Sequence, residues 1–422
     1  MTPGAIILVG VLIGGLYMAW GIGANDVANA MGTSVGSGAL TLLGAIILAG
    51  VLEFAGAVLI GSNVTQTISK GIIDTSLYDV DGPWGADGPI LLAIGMLCAL
   101  VAAAAWLHTA TLLGLPVSTT HSIVGAVLGI GLVSFGVAGV DWGKVLQIMG
   151  SWVVSPLLGG LLAFLSFFAI RRFILDAADP VAATIRTSPY LVGFVVMLLV
   201  LSFIYKVLAN RLDAPPVLVA FGVSAGAGLV AGVLASALTR NMVPAPGMSP
   251  YQFVERVFGL LQIATACFVA FAHGANDVAN AIGPVAAVVS LSQAGFASVP
   301  QTVGVPLWVL VLGGGGIVIG LATLGYKVIA TIGREITEIT PTRGFSAEFG
   351  AAATVLLASS LGLPISTTHT LVGAVIGVGF ARGIGALNLR VIRNIVNSWL
   401  ATVPVAAAAS ALLFSIVRIF VV

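Results

Sequence analysis

Two carboxylates and four amides stand out in an almost wholly apolar chain. Asn25, Asp26 and Asn29 lie in the peptide Gly-Ala-Asn-Asp-Val-Ala-Asn-Ala at residues 23–30. Asn276, Asp277 and Asn280 lie in an identical peptide at 274–281. Residues four apart share a helix face, so Asn25 and Asn29 point together with Asp26 beside them. Carboxylate and amide oxygens are hard ligands that suit hard cations such as alkali ions. Gly21, Gly23 and Gly274 would let the helix unwind there, freeing carbonyls for the same ion. The competing use is an Asp–Asn network that only pins helices together. Two buried carboxylates without basic neighbours in sequence are expensive as structural glue.

A second duplicated peptide suits an anion. Gly114-Leu-Pro-Val-Ser-Thr-Thr-His121 recurs as Gly362-Leu-Pro-Ile-Ser-Thr-Thr-His369. Pro116 and Pro364 suit a helix start, where the missing N–H is not needed. Ser118, Thr119 and Thr120, and their counterparts Ser366, Thr367 and Thr368, put hydroxyls beside the unpaired N–H groups of a helix N-terminus. That end carries about half a positive charge and receives anions. Two such ends facing one ligand would suit a compact oxyanion with several acceptors. Capping of their own helices is the alternative use of these hydroxyls. His121 and His369 close the runs and read first as satisfied helix-start residues.

Other polar residues are candidates by position. Glu53 and Glu348 fall inside apolar stretches and could hold a proton or a cation, or pair with a polar neighbour. Gln66, with Asn63, Thr65, Thr67 and Ser69, forms a polar stretch that could line a site. His273 adjoins the second Asn-Asp motif, where the first has Ile22. Asp74, Asp79, Asp81 and Asp87 read as a solvated acidic loop. Cys98 and Cys267 read as small packing residues, with no metal-ligand spacing between them.

These residues must be positioned by membrane helices. The chain of 422 residues is 59% hydrophobic and 7% charged, with a mean hydropathy of +1.15. Soluble domains carry about 25% charged residues. A net charge of +1 gives no signature of nucleic-acid binding. About 20 apolar residues cross a bilayer. Twelve spans are expected, near 3–22, 39–61, 90–113, 122–139, 150–170, 190–208, 215–239, 256–274, 305–326, 344–361, 370–385 and 397–420. The fourth and eleventh could be entered through half-spanning hairpins. Longer loops are expected at 62–89, 171–189, 240–252, 282–304 and 327–343. The first span reads as a retained helix and not as a cleaved signal.

The two motifs recur at separations of 251 and 248, and Ser151-Trp152 recurs as Ser398-Trp399 at 247. They belong to one duplicated unit. Residues 1–170 form the first repeat (spans 1–5), 171–252 hold linking spans 6 and 7 with a short loop, and 253–422 form the second repeat (spans 8–12). Corresponding spans differ by seven, so the copies should cross the membrane in opposite directions, as in many secondary transporters. Basic residues set the orientation. Arg171, Arg172, Arg186, Arg240, Arg256, Lys327, Arg334, Arg343, Arg382, Arg390 and Arg393 fall on one side. Lys70, Lys144, Lys206, Arg211 and Arg418 fall on the other. Both termini are therefore expected outside.

At these two motifs the chain resembles the inorganic-phosphate transporter (PiT) family of secondary carriers. The resemblance implies an all-α polytopic protein that carries phosphate with sodium or protons, as a homodimer in the cytoplasmic membrane. It matches Asp26 and Asp277 to the family's essential aspartates. It sets Glu53, His273 and Glu348 where family members carry functionally implicated polar residues. Many members have a large hydrophilic loop between their halves; here only 240–252 separates spans 7 and 8. The expectation is therefore phosphate import by sodium symport, with no cofactor and no catalysis. Phosphate would meet the Ser-Thr-Thr segments, and sodium the Asn-Asp segments. Proton-coupled phosphate or sulfate transport is the alternative. A solute channel is more distant, because the aspartate pair is foreign to such pores. An intramembrane hydrolase using Ser118 and His121 lacks a third orienting group.

Overall fold

The structure, a computed structural model, describes residues 3–61, 72–204, 215–300, 303–360 and 365–420. Gln66, Asn63, Thr65, Thr67, Ser69 and Pro364 lie outside these residues. Among those described there are twelve α-helices and no sheet. They are α1 (Pro3–Gly36), α2 (Leu42–Ile60), α3 (Gly88–Leu112), α4 (Thr119–Phe135), α5 (Trp142–Ile170) and α6 (Pro180–Phe203). The chain continues with α7 (Val217–Thr239), α8 (Pro250–Gln293), α9 (Leu307–Ala330), α10 (Pro341–Ser360), α11 (Thr367–Arg382) and α12 (Leu389–Arg418).

Backbone groups inside a bilayer must be satisfied within the segment, which favours helices throughout. Among the described residues ten helices are long and apolar enough to cross. The expected tenth and eleventh spans, α10 and α11, are not among those ten. At 16 residues α11 is too short, and α10 carries Arg343 and Glu348. The chain is a multi-pass membrane protein.

Polar caps mark the helix ends. Ser249 and Gln252 form a reciprocal capping box at the start of α8, with Pro250 in its first turn. Thr41, Asp141, Asp179 and Asn388 cap α2, α5, α6 and α12. α4 and α11 end on Gly136 and Gly383, at φ 65° and 111°, a conformation that glycine adopts without penalty.

Two helices run further than the hydropathy pattern indicates. α1 continues through the first Asn-Asp motif to Gly36, and α8 spans 44 residues through the second. Residues 282–293 and 327–335, expected as loops, are helical, the latter ending in a π turn. The polar side chains of the Asn-Asp motifs lower the hydropathy of these helices, but most find hydrogen-bond partners inside the bundle and the helix need not break. The expected unwinding at Gly21, Gly23 and Gly274 does not occur.

Those glycines serve close packing instead. A Cβ on Gly23 would stand 1.9 Å from the Ile317 carbonyl oxygen, and one on Gly320 would stand 1.9 Å from that of Trp20. α1 and α9 therefore touch backbone to backbone. α2 and α8 do the same at Gly56 against Phe271 and Gly274 against Glu53, each at 2.1 Å. α4 meets α12 at Gly129, 2.2 Å from the Ala407 oxygen, and α5 meets α11 at Gly377, 2.0 Å from that of Gly160. Small residues permit such approach between membrane helices.

Candidate functional site

The structure brings both duplicated motifs into one buried cluster. Asp26 and Asp277 are 1% and 3% exposed. The N-termini of α4 and α11 meet beside them: Thr368 Oγ1 lies 3.4 Å from the Val117 carbonyl oxygen. Thr119 donates to Asp26 Oδ2 at 2.8 Å, and Thr368 donates to Asp26 Oδ1 at 3.2 Å. Thr367 donates to Asp277 at 3.3 Å. Asn29 donates to Thr368 at 2.8 Å, and Asn280 donates to both Thr119 and Thr120 at 3.2 Å. The Asn-Asp and Ser-Thr-Thr segments are hydrogen-bonded to each other and form a single site.

Local structure explains the placement. Asn25 fixes the turn that leads into α4, accepting from Val117 N at 3.0 Å and donating to Thr111 and to the Leu115 carbonyl. Asn25 is thus held by protein partners. Ser118 and Ser366 are the N-caps of α4 and α11, accepting from the amides of His121 and His369. Pro116 is not the first helical residue, as its sequence position suggested. It precedes the cap by two, and its carbonyl accepts from Trp399 Nε1 at 3.0 Å.

His121 and His369 fill the space behind the two helix ends. Their ring centroids are 4.4 Å apart and edge to face. Trp152 covers His121 at 3.9 Å, and Trp399 stacks on His369 at 3.8 Å. Both imidazole Nε2 atoms are buried without a hydrogen-bond partner among the described residues. They are helix-start residues, but their rings are not fully satisfied. The repeated Ser-Trp pair in the sequence was the available signal for the two tryptophans.

Glu53 and His273 add a feature to one side only. His273 Nδ1 lies 3.2 Å from Glu53, and its Nε2 lies 2.8 Å from Asp277 and 3.9 Å from Asp26. None of these contacts has hydrogen-bond alignment, for both His273 nitrogens and both Glu53 oxygens remain without a partner of that kind among the described residues. We read them as charge proximities, since the separations are short and only the angles fail. Asp26, His273 and Asp277 each offer one ligand atom within 4.8 Å of the others. The matching place in the other half holds Ile22 and Ile317, so the polar pair breaks the symmetry of the duplicate.

Glu348 lies apart, within a ring of donors. Thr33, Ser34 and Gln262 donate to Oε1 at 2.6, 2.9 and 3.2 Å, and Thr265 donates to Oε2. The carboxylate is fully buried and fully partnered. Thr33 and Ser34 continue the Asn25–Asn29 face of α1 by another turn, a pattern visible in the sequence. Gln262 and Thr265 stand in an apolar run and gave no comparable signal. Two members of the acidic loop are also more than solvated. Asp74 caps a short turn at Ser76, and Asp79 accepts from Val299 N at 3.2 Å.

A helical, multi-pass bundle with a duplicated acid–amide–hydroxyl centre at its middle defines a membrane transporter. The model of the phosphate transporter family matches residues 22–410. The chain belongs to that family. It is 49% identical over 408 residues to a Pyrococcus abyssi protein that is called a phosphate permease by name alone, covering 97% of each chain. It is 46% identical to the chloroplastic inorganic phosphate transporter 2-1 of Arabidopsis thaliana, over 94% of this chain and 70% of the relative. A solved structure titled the sodium-dependent phosphate transporter superposes with a TM-score of 0.87 at 45% identity, covering 98% of this chain and 99% of the other.

Proposed function

We propose that this protein is a secondary carrier that imports inorganic phosphate across the cytoplasmic membrane together with sodium. The observation that carries the proposal is the meeting of two hydroxyl-rich helix N-termini against two buried aspartates. The helix ends favour an anion, and the carboxylates favour cations. In this reading sodium binds at Asn25, Asp26, Asn29, Asn276, Asp277 and Asn280. The hydroxyls of Thr119, Thr367 and Thr368 then turn their protons from the carboxylates to phosphate, and Thr120 adds its own hydroxyl proton. Ser118 and Ser366 use their oxygens as caps and keep hydroxyl protons for the same anion.

Charge sets the direction of coupling. Entry of a phosphate dianion against an inside-negative potential costs about 2.3 kcal/mol per charge per 100 mV. Two sodium ions make the load neutral, and a third makes it driven by the potential. The duplicated units 1–170 and 253–422, joined through 171–252, are read as inverted repeats with both termini outside. The functional particle is read as a homodimer in the bilayer.

One observation favours a second reading. His273 lies between Glu53 and the two aspartates, where a proton could replace a coupling cation. Uptake of labelled phosphate into proteoliposomes, with sodium and proton gradients imposed separately, tests both. Sodium-driven accumulation without a proton gradient is expected. Full accumulation driven by protons alone would transfer the assignment to proton symport.

A further inference from the structure

The linking helices α6 and α7 form a hairpin at the margin of the bundle, sealed by glycine. A Cβ on Gly193 would stand 2.8 Å from the Gly228 carbonyl oxygen, and one on Gly232 would stand 3.0 Å from that of Pro189. Beside this seam opens a groove of about 720 Å³. Tyr190, Phe194, Met197, Leu229 and Val233 form much of its wall. The groove ends at two cations, Arg186 from the second turn of α6 and Arg240 just past the last turn of α7. The helices are antiparallel, so both guanidiniums stand at the same end. Both residues are exposed, and neither meets a carboxylate among the described residues.

We propose that this groove binds an anionic phospholipid, with its phosphate between Arg186 and Arg240 and an acyl chain along the apolar wall. Length supports a lipid. Arg186 and Met197 are eleven residues apart on one helix, a rise of about 16 Å. Half of a hydrocarbon core about 30 Å thick is close to that. The arginines therefore stand at headgroup level while the wall spans one leaflet. Charge supports an anionic headgroup, since two unpaired guanidiniums match a phosphate geometrically and electrostatically. A free phosphate ion would satisfy the arginines but leave the wall unused. The proposal rests on the membrane reading and is independent of which ion drives transport.

The test uses the full-length protein in nanodiscs of phosphatidylcholine doped with phosphatidylglycerol. Bound lipid is counted by native mass spectrometry after detergent release. Wild type should retain phosphatidylglycerol over phosphatidylcholine. The double variant Arg186→Gln/Arg240→Gln should lose that preference by about tenfold or more. Arg186→Lys/Arg240→Lys should keep most of it, which separates lost charge from misfolding. Val233→Trp, with both arginines intact, should lower phosphatidylglycerol retention by filling the wall. Inorganic phosphate at millimolar concentration should not displace the lipid. Equal retention in wild type and the double Gln variant would overturn the proposal, as would displacement by inorganic phosphate alone. Loss of a dimer in Val233→Trp with unchanged lipid retention would reassign the groove to contact between two copies.

Discussion

Asp26 accepts hydroxyl protons from both helix ends, from Thr119 in one half of the chain and from Thr368 in the other. A carboxylate so placed both orders the hydroxyls and attracts a cation. Asp26→Asn or Asp277→Asn preserves volume and one oxygen acceptor but removes the charge that offsets a cation's lost hydration. Sodium affinity should fall by about tenfold or more in either variant, the usual scale for deleting a buried charged partner. Phosphate affinity should fall with it. Linkage requires phosphate to raise sodium affinity by the same factor that sodium raises phosphate affinity. Titrating each ligand with and without the other measures both factors. Unchanged sodium dependence in folded variants would reduce the motif to helix packing. The residues of this centre were readable because they are duplicated and polar against an apolar background. The role of Gly23 and Gly274 was not, since only the neighbouring backbone shows that they permit contact and not unwinding. Gln262 was invisible for a similar reason: its partner Glu348 is 86 residues away.

At the level of elements, the ends of α4 and α11 are held by two matching closures of different chemistry. Behind α4, the Asp141 amide donates to the Ile72 carbonyl at 3.0 Å, and Tyr78 donates to Ser134 at 2.6 Å. Behind α11, the Asn388 amide donates to the Ile336 carbonyl at 2.9 Å, and Arg382 reaches Glu338 at 2.9 Å. Burial pushes the Tyr78 phenol up to about 12, so its closure is indifferent to ordinary pH. Arg343, with help from Arg382, holds the Glu338 carboxyl below its usual range. The second closure is therefore intact above that range and opens as pH falls through the lowered value. Glu338→Gln should open it at neutral pH. Hydrogen exchange in the last turn of α11 should rise by about fivefold or less, as befits an exposed ion pair. Salt should produce the same rise in wild type and none in the variant.

Helix pairing gives a sharper test of packing. Gly320→Ala drives a Cβ into the Trp20 carbonyl, whereas Gly315 on the same helix has nothing within 4 Å. The first change should destabilise by about 1–3 kcal/mol or more, while Gly315→Ala should be neutral or slightly stabilising. Thermal melts of the two proteins in one detergent measure the difference. Helix number and order were legible from hydropathy, which responds to composition alone. The continuity of α1 and α8 was not, because most partners of the polar turns that depress hydropathy are distant in sequence.

For the whole molecule, sidedness is the first question. The basic bias predicts Arg172 and Arg334 in the cytoplasm and both termini outside. Single cysteines at these two arginines and near each end, in a Cys98→Ala, Cys267→Ala background, should label accordingly with an impermeant reagent. Termini on opposite sides would overturn the inverted-repeat reading. The glycine contacts then say what kind of machine this is. Outside the linker hairpin α6–α7, each backbone-to-backbone pair described above, α1 with α9, α2 with α8, α4 with α12 and α5 with α11, joins a helix before the linker to one after it. Two such rods cannot slide lengthwise without driving flanking side chains into a carbonyl. A hinge between the first and second halves of the chain would have to tear all four rods apart. If the protein moves as two bodies, these contacts predict that each is assembled across the duplication, one helix set carrying the aspartates and the other the threonine-bearing helix ends. A carrier built on these contacts is expected to divide between the two motifs, across the residues proposed to meet the ligand.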